Sequence, residues 1–103
     1  MTAPIRLRAR LVDGVVKAQL LMLHPMETGL RVDADGIAVA AHYITEVQVT
    51  LGERTVFAAR LSRAVSQDPL IHFRFKGAEA GQRLSVSWTD SRGLSRRDEA
   101  TIA

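Results

Sequence analysis

Tyr43-Ile44-Thr45-Glu46-Val47-Gln48-Val49-Thr50-Leu51 decides the fold of this chain. Tyr43, Thr45, Val47, Val49 and Leu51 alternate with Glu46, Gln48 and Thr50, the period of two that buries one face of a strand and leaves the other in water. Gly52-Glu53-Arg54 turns the chain, and Phe57, Ala59 and Leu61 line a return strand. The same period recurs on both sides of this hairpin, so helix has little room.

Towards the N-terminus, Ile5, Leu7, Ala9 and Leu11 alternate with Arg6, Arg8 and Arg10. Asp13-Gly14 then closes a tight hairpin, since this pair tolerates the positive φ of a type I′ turn. Residues 15–23 are apolar except for Lys17 and Gln19, which suits a strand covered on both faces towards its end. Ala18 to Met22 are also good helix formers, so a buried helix is the rival reading. The preceding turn needs a pairing partner and favours the strand. His24-Pro25 ends the element, because the proline ring disfavours helical geometry before it and cannot donate to a ladder. A loop runs on through Met26-Glu27-Thr28-Gly29, and Asp33-Ala34-Asp35-Gly36 makes a second turn between short strands expected at Leu30-Arg31-Val32 and Ile37-Ala38-Val39-Ala40.

Towards the C-terminus, residues 62–69 form a polar excursion ending in Asp68-Pro69. Ile71, Phe73 and Phe75 then alternate with His72, Arg74 and Lys76, and Leu84, Val86 and Trp88 with Ser85, Ser87 and Thr89. Trp88 is thereby expected in the core. Asp90-Ser91-Arg92-Gly93 is a third hairpin turn, after which residues 94–102 read as a polar edge strand guarded by charge. About seven strands punctuated every 8 to 12 residues or so imply one all-β domain over residues 1–103, an immunoglobulin-like antiparallel β-sandwich. A small Greek-key barrel is the alternative.

Composition narrows the chemistry. The chain has no cysteine, which excludes disulfides, thiolate catalysis and zinc sites built on thiolates. No apolar run reaches the roughly 20 residues that cross a bilayer as a helix. The start of the chain is charged and alternating where a secretory signal needs a continuous apolar stretch, so no signal peptide is expected. The net charge of +3 comes from scattered arginines, with Arg6, Arg8 and Arg10 in one stripe and Arg92, Arg96 and Arg97 in another. Neither stripe is interleaved with the aromatic rings that single-stranded nucleic-acid binders use, and nucleic-acid binding is not expected.

Candidate catalytic groups are few. His24, His42 and His72 lack a second ligand at metal-binding spacing, and the reading is a loop histidine, a histidine leading into a strand and an exposed strand histidine. Asp33, Asp35 and Gly36 resemble the opening of a calcium loop but lack its downstream glutamate. No serine sits in a nucleophile elbow. No catalytic residue, cofactor or metal is therefore expected. The feature hardest to explain as scaffold is His24-Pro25-Met26-Glu27-Thr28-Gly29, where binding residues favour such a loop but Pro25 and Gly29 could equally just fix a turn.

Leu21-Met22-Leu23-His24-Pro25-Met26-Glu27-Thr28-Gly29-Leu30-Arg31 resembles the signature of the SoxZ family of thiosulfate-oxidation carrier subunits. The likeness continues in order through Ala41-His42-Tyr43-Ile44, Phe73-Arg74-Phe75-Lys76-Gly77, Val86-Ser87-Trp88-Thr89-Asp90 and Asp98-Glu99-Ala100-Thr101-Ile102. Tyr43 stands where the family pattern has phenylalanine. The resemblance implies a non-catalytic subunit paired with SoxY, whose C-terminal arm carries the cysteine on which sulfur intermediates ride. It also implies a periplasmic location reached as a passenger of that partner, and contact with other enzymes of the pathway through the complex. His24, Pro25, Met26, Glu27, Thr28 and Gly29 are the expected partner-binding residues, with Met26 either packed on the partner or folded inward as core. Two rivals are a generic immunoglobulin-like binding module and a small hydrolase or metal protein built on His24 and Glu27.

Overall fold

The structure, a computed structural model, describes residues 2–103. Seven strands run in chain order as β1 (Arg6–Val12), β2 (Val15–Leu21), β3 (Ile44–Leu51), β4 (Arg54–Arg60), β5 (Leu70–Lys76), β6 (Arg83–Asp90) and β7 (Ser95–Thr101). They form two antiparallel sheets, β1-β2-β5 and β4-β3-β6-β7. In immunoglobulin lettering these are A-B-E and C′-C-F-G, so the expected sandwich is the architecture found.

Period-two patterning explains which residues meet between the sheets. Val16, Ala18 and Leu20 of β2 face Leu84, Val86 and Trp88 of β6 and Val47 and Val49 of β3 across one core, and Trp88 is 2% exposed. Burying a Val, Leu or Ile side chain contributes about 1.5 to 3 kcal/mol, so this layer supplies most of the driving force. Residues 15–21 are strand rather than helix, paired with β1 and β5, while Met22 and Leu23 already belong to the following loop, and the apolar far face is only half-buried, at Val15, Leu21 and Leu23. Asp13 and Gly14 both take positive φ, 51° and 78°, as the type I′ hairpin requires.

Two expectations need correction. Ile44, not Tyr43 or Thr45, enters the core ahead of Val47. The register with β6 shifts between Ile44 and Glu46, a β-bulge that inserts one residue and reverses the alternation before it. The short strands expected around Asp33–Gly36 do not form either. Val32 and Ala38 make a single isolated bridge, and Leu30, Val32 and Ile37 stay 81%, 57% and 63% exposed. The turn itself is present: Asp33 Oδ1 accepts from the N–H groups of Asp35 and Ile37. A two-stranded ribbon with no sheet to cover it has nothing to bury its apolar face against.

The two open sides of the sandwich close differently. On the β1 side, Ala103 completes the edge by accepting from Leu11 N and donating to Ala9 O, both at 2.9 Å. On the β4 and β5 side, Phe57 stacks on Phe73 at 4.7 Å, and Arg54 donates to the carbonyls of Lys76 and Gly77.

Candidate partner-binding loop and its buried clamp

The chain crosses from one sheet to the other between β2 and β3, through residues 22–43. Where this crossing starts, His24 N donates to Asp68 Oδ1 and His24 O accepts from Asp68 N, tying it to the segment ahead of β5. Where it ends, Glu27 and His42 exchange both backbone hydrogen bonds, at 2.6 and 3.0 Å. The signature loop is therefore a pinned turn.

Beneath it lies a cluster whose members no spacing in the sequence connects. His24 Nε2 and His42 Nε2 both donate to Asp90 Oδ2, at 3.0 and 2.6 Å. Asp90 Oδ1 accepts from the backbone N–H groups of Arg92 and Leu94, so the last residue of β6 receives four donors on one fully buried carboxylate. The imidazoles meet edge to face at 4.6 Å, and His24 stands at 89° to Trp88, 5.2 Å away. Trp88 Nε1 is buried with no hydrogen-bond partner among the described residues. Burial pushes the Asp90 carboxyl up, but the hydrogen bonds from His24, His42, Leu94 and Arg92 together outweigh it and hold the group below the ordinary 3.8.

The backbone sets the tautomer of His24. Met26 N donates to His24 Nδ1 at 3.1 Å. A peptide N–H can only donate, so Nδ1 carries the lone pair and Nε2 the proton aimed at Asp90. His24, His42 and Asp90 bring their ligand atoms within 4.8 Å of one another, as a metal site would. A metal on His24 Nε2 would need the proton on Nδ1 and an acceptor facing it, whereas Met26 presents a donor there. The donor set is wired as a hydrogen-bond clamp and does not fit a metal ion at His24. With both its nitrogens engaged, His24 also has no free base for hydrolysis.

The expected partner-binding residues fall into two groups. His24 and Met26 are buried, 4% and 5% exposed, and Met26 Sδ accepts from Ile44 N at 3.2 Å. Met26 takes φ 49°, a left-handed geometry that costs about 1 to 2 kcal/mol in a non-glycine residue and is held here by both contacts. Pro25 is exposed, and Glu27, Thr28 and Gly29 are half-buried. Arg31 donates to both carboxylate oxygens of Glu27, with Nη2 to Oε1 at 2.7 Å, and this hydrogen bond lowers the Glu27 pKa. Thr28 Oγ1 accepts from Leu30 N, and Gly29, at φ 87°, lets Ala41 come so close that a Cβ would lie 3.2 Å from that of Ala41. His72 lies apart, exposed on β5. The one available signal for His42 and Asp90 was that each ends or occupies a motif of the same resemblance that contains His24.

Among solved structures, the fold is similar to a superoxide reductase (neelaredoxin) variant from Archaeoglobus fulgidus in the reduced form. The TM-score is 0.61 and the identity 19%, over 99% of this chain and 87% of that one. At that identity the likeness concerns the fold alone. No curated protein matches. The family model described as sulphur oxidation protein SoxZ matches residues 5–101, nearly the whole chain. With the signature loop and its clamp inside that span, the chain belongs to the SoxZ family of sulphur oxidation proteins.

Proposed function

We propose that this chain is the non-catalytic subunit of a heterodimeric sulfur carrier in thiosulfate oxidation. It holds a SoxY partner, whose cysteine carries the sulfur intermediates, and the pair works in the periplasm after export together. The observation that carries the reading is the two-sided loop. Its inner side is locked by His24, Asp90 and Met26, while its outer side leads into Leu30, Val32 and Ile37, three large apolar side chains left in water. Exposed apolar groups beside a pinned loop are what a protein interface needs, because they offer apolar area and the pinned part loses little ordering entropy on binding.

In this reading Pro25 and the Glu27–Arg31 pair stand at the rim, Thr28 and Gly29 shape the bend, and His24 and Met26 support it from beneath. The missing cysteine fits a subunit that leaves covalent sulfur chemistry to its partner. The test is to mix the purified chain with a purified SoxY-like subunit and measure the mass of the product by light scattering. A one-to-one complex, with thiosulfate oxidation in the reconstituted pathway only when both subunits are present, is expected. Two species that stay separate at micromolar concentration, or electron release from thiosulfate by this chain alone, would overturn it.

A further inference from the structure

The register of the β1-β2-β5 sheet builds a charged lattice on its outer face. Arg10, Lys17 and Arg74 stand directly opposite one another across the three strands, with Arg8, Gln19 and His72 in the next row. Arg6 and Lys76 extend the lattice at its two ends, and all these side chains are exposed. The three strands contain no aspartate or glutamate, and the nearest acid by register is Asp13 in the β1–β2 turn.

The other sheet is built the opposite way. There Arg60 pairs with Glu46, Arg83 with Glu99 and Arg96 with Asp98. Among the described residues, none of the six cations of the first sheet takes part in an ion pair. The net charge of +3 hides this division: without those six, eight basic side chains remain against eleven acidic ones. Like charges directly opposite on neighbouring strands repel, so the Arg10-Lys17-Arg74 row weakens the folded chain unless an external counter-charge meets it.

We propose that this face is a docking surface for a carboxylate-rich face of another protein, engaged transiently and separate from the loop of residues 24–29. The footprint favours a protein over a nucleic acid. Phe73 and Phe75, the aromatic residues of these strands, face the core, so no ring is offered for base stacking. Apolar pairs flank the charges instead, Leu21 with Leu70 at one end and Val12 with Val15 at the other, the mixture of arginine and aliphatic contact found at protein interfaces. Three strands of seven residues span roughly 300 Å² by strand spacing and rise, well below the area of a stable complex. Such a contact acts by steering encounter, with fast release and strong dependence on salt. The inference rests on the charge lattice alone and stands whether or not the SoxY reading holds.

The test uses the full chain and two labelled probes, poly-L-glutamate of about 20 residues and a DNA duplex of similar charge, followed by fluorescence anisotropy at low and high salt. The Arg10→Glu, Lys17→Glu, Arg74→Glu triple variant should weaken poly-L-glutamate binding at least about tenfold. A control triple, Arg60→Glu, Arg83→Glu, Arg97→Glu, changes net charge by the same amount on the other sheet and should change it less than about twofold. Arg10→Gln, Lys17→Gln, Arg74→Gln replaces the first variant if that one fails to fold, with Arg60→Gln, Arg83→Gln, Arg97→Gln as its charge-matched control. Equal weakening by the two triples would reduce the effect to net charge and overturn the proposal. So would tighter binding to the duplex than to poly-L-glutamate, or no binding of poly-L-glutamate at low salt.

Discussion

His24 donates through Nε2 to Asp90 Oδ2 across 3.0 Å, joining the loop that leaves β2 to the end of β6, 66 residues further along the chain. The bond fixes the loop to the sandwich, and its other partners make Asp90 the hub. Asp90→Asn replaces an acceptor-only group by one that presents a donor to at least one of four incoming N–H groups. It should cost about 3 kcal/mol at pH 7, read from urea unfolding. The pH dependence has a definite sign. Because the folded carboxyl lies below its ordinary 3.8, its stabilisation is complete above about pH 4 and lost as pH falls through the lowered folded value. The parent and Asp90→Asn curves should therefore converge in acid. Parallel curves down to that range would remove the hub from the stability of the fold.

Met26 offers a separate test of the clamp, since its sulfur accepts the N–H of Ile44, the residue at the bulge. Met26→Leu keeps volume and apolar character, which alone costs less than about 1.5 kcal/mol. Losing the acceptor leaves a buried N–H unpaired and adds about 1 to 3 kcal/mol. Thermal unfolding should therefore place Met26→Leu below the parent by more than the change of shape alone explains. A loss under about 0.5 kcal/mol would mean that packing alone holds Met26 in place.

Much of this was legible in the sequence where the physics is local. The alternation of β1, β5 and β6, the Asp13-Gly14 turn and the burial of Trp88 follow from neighbours a few residues apart. The bulge at Thr45 was not, because β-branched residues continue on both sides of the slip and only the pairing with Thr89 and Asp90 reveals it. The clamp was invisible for a different reason: His24, His42 and Asp90 are distant in sequence and have no spacing rule to connect them. The arginine stripe of β1 could be seen, but its meeting with Lys17 and Arg74 depends on register across three strands.

Trp88 gives the core its largest single aromatic contribution and stands edge-on to His24. Trp88→Ala should destabilise by about 3 to 5 kcal/mol, since the cavity cannot close within two packed sheets. Trp88→Phe removes the unpartnered Nε1–H together with some volume, so it should cost clearly less. A loss below about 0.5 kcal/mol for the alanine variant, the range of a surface site, would contradict the burial.

The loop separates support from contact, so its residues should fail in different assays. Leu30→Ser, Val32→Ser and Ile37→Ser alter exposed side chains that pack on no core, and each should change stability by less than about 0.5 kcal/mol. If these residues meet the partner, the three changes together should weaken binding to a SoxY-like subunit at least about tenfold, because apolar area at an interface centre dominates affinity. Glu27→Ala removes a surface pair with the exposed Arg31 guanidinium and should leave the melting temperature near that of the parent, with a small loss of affinity at the rim. Met26→Ser should behave in the opposite way, lowering thermal stability first and affinity only through the disturbed loop, since its side chain is turned inward. Calorimetry against the SoxY-like subunit, run beside melting curves for all six variants, the triple included, distinguishes the two roles. Undiminished affinity of the triple variant would move the interface off this loop while leaving the family membership in place.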